Sequence, residues 1–203
     1  VDEKTFCKQE TEALGIAPGD YVCFDPRTVV TASGYIKSRF IDDKMSVAIL
    51  MGYAKHLKED KVSLKQRVYL HITVYEEVGH GAAASGPQGV TEMLVVDMGC
   101  VGNGLGCNEH MVSICAKDSR GPSNYEMVTR LVKKAQEHKL QYALDVYPFY
   151  GSDADAAVQA GHDLRHCLIG AGVYASHGYE RTHVEGVANT FSLLCAYLEE
   201  SES

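Results

Sequence analysis

The feature that most restricts what this chain can fold into is the stretch 68–83, VYLHITVYEEVGHGAA. Val68, Tyr69, Leu70, Ile72, Thr73, Val74 and Tyr75 form a near-continuous apolar run, the pattern of a central strand buried on both faces. The run ends in two adjacent carboxylates, Glu76 and Glu77, and then in Gly79 and Gly81, which permit a sharp turn. In open α/β sheets chemistry sits just beyond the carboxyl ends of the strands. Paired acids at that point lose hydration and repel each other, so a metal ion or a shared proton is the usual reason for them.

The rest of the chain alternates strands with helices. Residues 1–37 read as short extended pieces (GIAPGDYVCF, TVV, SGYIK) with a Pro18-Gly19-Asp20 turn, and resemble the tail of a preceding small β domain. Asp42-Asp43 open a helix, where helix-start acids also have the ordinary roles of cap and dipole partner. Strands are expected at 66–75, 92–97, 111–116, 141–147 and 165–176, the last broken by Gly170 and Gly172. Helices are expected at 124–138, 151–161 (opened by Ser152-Asp153) and 185–199. This order predicts an α/β fold, a three-layer mixed sheet covered on both faces.

Composition narrows the function. The formal charge is −8, from 19 basic and 27 acidic residues without a Lys/Arg cluster, which argues against nucleic acid as a partner. Seven cysteines without CxxC spacing read as reduced thiols, hence a cytoplasmic location, and no apolar run spans a membrane. The acids and one imidazole fall at strand ends: Asp42, Glu76-Glu77, Asp97 and His177. Carboxylates with imidazole are a ligand set for zinc, manganese or cobalt in hydrolytic sites. The Gly-rich stretch 99–106 is no phosphate cradle, since no helix starts after it and the preceding strand ends in an acid. A serine hydrolase lacks its GxSxG elbow here.

SRFIDDK (38–44), YEEVGHGA (75–82), VVDMG (95–99), GSDADA (151–156) and the segment around His177 together resemble, in order and spacing, peptidase family 42 of the metallopeptidases, the glutamyl and tetrahedral aminopeptidase group. The resemblance covers roughly residues 14–200. It implies a zinc-peptidase-like catalytic domain over 34–203, with 1–33 the β-rich remnant of an inserted small domain. It implies a metal-dependent aminopeptidase that hydrolyses N-terminal residues from peptides, with two divalent ions, zinc or cobalt, in a complete site. Asp42 would bridge the metals, Glu77 and His177 would complete one site, and Asp97 would bind the other metal. Glu76 would be the general base. Asp43, His80 and Asp153 would lie nearby as support or substrate contacts, with His183 the alternative to His177. Relatives form hollow assemblies, which implies a homo-oligomer. Three departures stand out. The upstream HxDE-like block with the first metal ligand is missing, so the chain resembles the C-terminal portion of the family protein and one metal site is left short. EEVGHGA is one residue shorter than the family block, and HGYERTH replaces HSPxE. The rival expectation is a non-catalytic homologue serving as an assembly or binding module.

Overall fold

The computed structural model describes residues 2–200. A short helix, α1 (Lys8–Ala13), leads through exposed chain to β1 (Val29–Val30), β2 (Tyr35–Ser38) and the long helix α2 (Ile41–Glu59). Two 3₁₀ turns (Glu76–Val78 and Gly81–Ala83) precede β3 (Glu92–Val96), β4 (Gly99–Cys100), β5 (Val112–Lys117), α3 (Tyr125–Glu137), β6 (Tyr142–Val146), α4 (Asp153–Gln159), β7 (Arg165–Val173), β8 (Glu180–His183) and α5 (Val184–Glu199).

Strand alternation builds the layers. The main sheet runs β3-β7-β5-β6, with β4 also on β7. β3–β7 and β5–β6 are parallel and β5–β7 is antiparallel, so the sheet is mixed. Val112, Ile114, Cys167 and Ile169 point to one face, against Ile49 and Tyr53 of α2, Leu131 of α3 and Leu193 of α5. The intervening Cys115 and Leu168, with Val95, point to the other face, against Tyr147 and Ala154 at the start of α4. Each fully buried Ile or Leu of this kind contributes about 1.5–3 kcal/mol. α3 begins where Asn124 Oδ1 accepts the Met127 N–H at 3.1 Å. α4 begins in a capping box, Ser152 with Asp155. A separate antiparallel sheet, β1-β2-β8, ties the segment before α2 to the end of β7.

Three expectations need correction. The apolar run 66–75 is not a strand. Val74 is 85% exposed and Tyr75 63%, and among the described residues the main chain of 66–74 pairs with no other main chain. Apolar character lets a segment be buried, but a strand also needs a ladder partner. Here β3, which runs to the same acids, is held apart from it by a cavity lined on both sides. His71, within this run, is half-buried, with Nε2 3.1 Å from Ser85 Oγ. β7 runs unbroken through Gly170 and Gly172, because these glycines admit the Asp97 and Asn108 carbonyls, which a Cβ would meet at 1.9 and 2.1 Å. Finally, GIAPGDYVCF forms no strand, and Tyr21 and Val22 lie exposed behind α1.

Candidate metal centre

Four chain segments deliver the site. At the start of α2, Phe40 adopts φ 62°, the Asp42-Asp43 peptide is cis, and neither aspartate has helical torsions. Their carboxylates leave the helix axis and turn toward the ends of β3 and β7. The 3₁₀ turn after the apolar run carries Glu76 and Glu77. Asp97 follows directly on the end of β3, and the turn after β7 delivers His177, in the left-handed region at φ 63°.

His177 Nε2 lies 3.4 Å from Asp42 Oδ2 and 3.2 Å from Glu77 Oε2. Ligand atoms of Asp42, Glu77 and His177 all fall within 4.8 Å of one another, and so do those of Asp42, Asp43 and Asp97. Asp42 belongs to both groups. Ser176 Oγ donates to Asp42 Oδ2 at 2.6 Å, and the Met98 N–H donates to Asp97 Oδ1 at 2.6 Å. Asp43 Oδ1 is buried without a hydrogen-bond partner.

The electrostatics follow from crowding. Burial, followed by repulsion from Glu77, pushes Glu76 up to about 7. Burial first and Asp42 second raise Glu77, although His177 pulls it back. Asp97 is raised by burial and then by Asp42. Asp43 is raised by burial and then by Asp97. The cluster holds more negative charge than its surroundings neutralise, the condition that a divalent cation relieves.

The outer residues sort themselves by partner. Asp153 is buried and accepts from Thr73 Oγ1 at 2.6 Å and the Ala82 N–H at 2.9 Å, so it ties the turn bearing Glu76 and Glu77 to α4. His80 is exposed, and its N–H donates to the Tyr75 carbonyl. His183 is occupied elsewhere: Nδ1 accepts the Glu185 N–H, and Nε2 donates to the Ser33 carbonyl at 2.7 Å. Neither ring nitrogen is left for the acids.

Sequence reasoning missed Glu180. It is 1% exposed, and its carboxylate accepts from the N–H groups of Ile41, Asp42 (3.0 Å) and His177 (3.1 Å). One buried side chain therefore fixes the backbone under two of the site residues. The available signal was an acid three residues past His177. Glu180→Gln offers one acceptor oxygen and an amide group that cannot accept. It should lower stability by about 1.5–3 kcal/mol, the range for hydrogen bonds to a charged group. Chemical denaturation checks this, and a midpoint equal to wild type would show that Glu180 holds nothing in place.

The family model described as M42 glutamyl aminopeptidase matches residues 1–193. The Bacillus subtilis (strain 168) protein named "Putative aminopeptidase YhfE" is 45% identical over 199 residues, which is 98% of this chain and 58% of that protein. The chain thus spans little more than half the length of this curated relative. An aminopeptidase from the archaeon Desulfurococcus kamchatkensis superposes with a TM-score of 0.78 at 24% identity, over 96% of this chain and 57% of that one. A Pyrococcus horikoshii TET1 peptidase, which can assemble into a tetrahedron or a large octahedral shell, gives 0.78 at 20% identity, over 95% and 58%. At these identities the two solved structures bear on the fold alone, and both agree with the mixed three-layer domain.

Proposed function

The chain belongs to the M42 glutamyl aminopeptidase family, and from that premise we propose that it is the catalytic body of a metal-dependent aminopeptidase acting on the free N-terminus of peptides. The observation that carries this reading is Asp42's membership of two donor groups, one with Glu77 and His177 and one with Asp97. A shared carboxylate between two sets of oxygen and nitrogen donors is what a two-metal hydrolytic site requires.

The donor set fits divalent metal. It combines one imidazole with crowded, charge-raised carboxylates and a buried Asp43 oxygen without a partner. Asp42, Glu77 and His177 would hold one ion, with Asp42 and Asp97 contributing to a second; zinc and cobalt suit this mixture. Such ions supply Lewis acidity, which polarises a carbonyl and lowers the pKa of water towards neutrality. Glu76, half-buried beside Glu77 and not needed as a ligand, takes the proton of the attacking water on a carboxylate oxygen. It returns that proton to the nitrogen of the departing amine. Asp153 keeps the Glu76 turn in place through Ala82 and Thr73, and Glu180 keeps Asp42 and His177 in register.

The surrounding assignments extend from the same premise. Residues 1–33 are the tail of an inserted small domain, and 34–203 the catalytic part. The free cysteines suit the reducing cytoplasm, and no helix among the described residues is long and apolar enough to cross a membrane. Self-association follows by analogy with the TET1 shells.

The test is hydrolysis of short peptides by metal-stripped protein reloaded with zinc or cobalt, with free and N-acetylated substrates compared. Release of N-terminal residues only from free amines, and only after reloading, is expected. Indifference to metal would overturn the assignment. Binding has its own readout: at an ion concentration about 100 times the Kd the folded state should gain about 2.7 kcal/mol. Asp42→Asn should remove most of this gain, because both groups lose their common donor.

A further inference from the structure

At the far end of α2 from Asp42, donors of mixed chemistry converge a second time. His56 lies in the last turn of α2, and Cys195 and Glu199 stand four residues apart near the end of α5. Residues four apart share one face of a helix, so the thiol and the carboxylate both meet the imidazole. Donor atoms of His56, Cys195 and Glu199 all fall within 4.8 Å of one another, and His56 Nε2 is 3.0 Å from Glu199 Oε1. The rise of a helix puts His56 about 20 Å from Asp42, so the two clusters are separate.

The imidazole is oriented in advance. Its ring packs edge-on to Phe191, with centroids 6.0 Å apart, and against Tyr53 at 6.1 Å. Its other nitrogen, Nδ1, lies 2.7 Å from Asp60 Oδ2. A carboxylate on the far nitrogen is the usual support of a metal-bound histidine, because it fixes the tautomer and the ring plane. An ion pair would account for His56 between two carboxylates, yet it leaves two groups unexplained. Cys195 sits against Glu199, and burial followed by that charge pushes its thiol up to about 12. Tyr53 is fully buried and its hydroxyl makes no hydrogen bond of normal geometry, though Glu199 and Cys195 lie close enough to raise it. A divalent cation inverts that balance and favours thiolate and carboxylate together.

We propose that His56 Nε2, Cys195 Sγ and a Glu199 carboxylate oxygen bind one divalent ion of the zinc class, with a water on the fourth position available to the Tyr53 hydroxyl. Thiolate, imidazole and carboxylate around an open tetrahedral position suit zinc, and cobalt as its spectroscopic substitute. Metal bonds of about 2.0–2.3 Å set neighbouring donors roughly 3.3–3.6 Å apart, so these side chains need draw together by about an ångström at most. His56 and Glu199 are 25% and 21% exposed at the side chain, which leaves an ion a way in. Cys195 gives up its thiol proton to solvent as the bond to the ion forms. The ion ties the last turn of α2 to α5.

Cobalt titration of the full chain, kept reduced by a phosphine that offers no competing thiolate, decides the matter. A thiolate-to-cobalt charge-transfer band in the near ultraviolet is expected, saturating at one ion per chain and displaced by zinc. The centre at Asp42 offers only oxygen and nitrogen donors and contributes nothing to that band. Cys195→Ser should abolish it. Asp60→Asn should weaken the binding that the band reports by about 10–100-fold, the range for a supporting partner, and His56→Gln by more. Asp42→Asn should leave the band unchanged. Circular dichroism confirms that each variant is folded, and the partly exposed His56 and Asp60 carry the test if Cys195→Ser is not. Absence of the band in the folded wild type overturns the proposal, and so does a band that survives Cys195→Ser or keeps its affinity in His56→Gln. A band lost in Asp42→Asn assigns the thiolate to the other centre and also overturns it. None of these readouts uses peptide hydrolysis, so the result stands apart from the catalytic assignment.

Discussion

Glu76→Gln is expected to lower kcat/KM for peptide hydrolysis by about 10²–10⁴-fold, the range that a positioned proton-transfer group supplies. The substitution is nearly isosteric and leaves Asp42, Glu77, Asp97 and His177 in place, so metal uptake should be kept. It also removes one negative charge from a side chain that is repelled by Glu77, Asp153 and Asp42. Thermal stability should therefore be unchanged or slightly raised. Loss of activity with full metal content and an intact melting curve separates proton transfer from ligation. Glu77→Gln should instead weaken metal binding, since it deletes a donor from the Asp42–His177 group. A Glu76→Gln protein with wild-type turnover would remove Glu76 from the mechanism.

Gly170→Ala is expected to be the most damaging single methyl group in the sheet. The added Cβ would sit 1.9 Å from the Asp97 carbonyl oxygen and 2.6 Å from its carbon, with Met98 carbon at 2.9 Å. These are backbone atoms and cannot rotate away. The same Asp97 carbonyl accepts from Ser46 Oγ of α2 at 3.2 Å, so displacing it disturbs both β3 and the helix that carries Asp42. Overpacking of this severity costs about 3 kcal/mol or more. At about 2–4 °C per kcal/mol for a domain of this size, Tm should fall by about 10 °C. Gly102→Ala, with open space around the new methyl, should stay within about 0.5 kcal/mol. Calorimetry of the pair checks the contrast, and equal melting temperatures would refute the close approach.

Gly170 shows why one part of the scaffold is harder to read from sequence than acids and imidazole at strand ends. Asp42, Glu77 and His177 announce themselves because acids and imidazole at strand ends are costly unless they are used, and the structure brings these three together. Residues 92–96, 112–117, 125–137 and 184–199 also follow the expected elements closely, since each buries its own periodic face. Gly170 reads as a strand breaker in one dimension. In three it is the gap through which a neighbouring carbonyl passes, and that carbonyl belongs to a residue 73 positions earlier. The run 68–75 has the composition of a central strand, but hydrogen-bonding partners are a property of neighbours and not of composition. Glu180 escaped for a related reason. Its partners are backbone amides, which every residue possesses, so no side-chain pattern advertises them.

Glu180 also sets an order of events. It reaches across 138 positions to the Asp42 amide and holds the His177 amide beside it. Closing so long a loop is slow compared with forming any single helix. A chain emerging from the ribosome thus exposes Asp42, Glu77 and Asp97 well before the glutamate that aligns them is synthesised. If the site holds metal as proposed, ions met during that interval would encounter only loose carboxylates, and selective loading would wait until translation has passed residue 180.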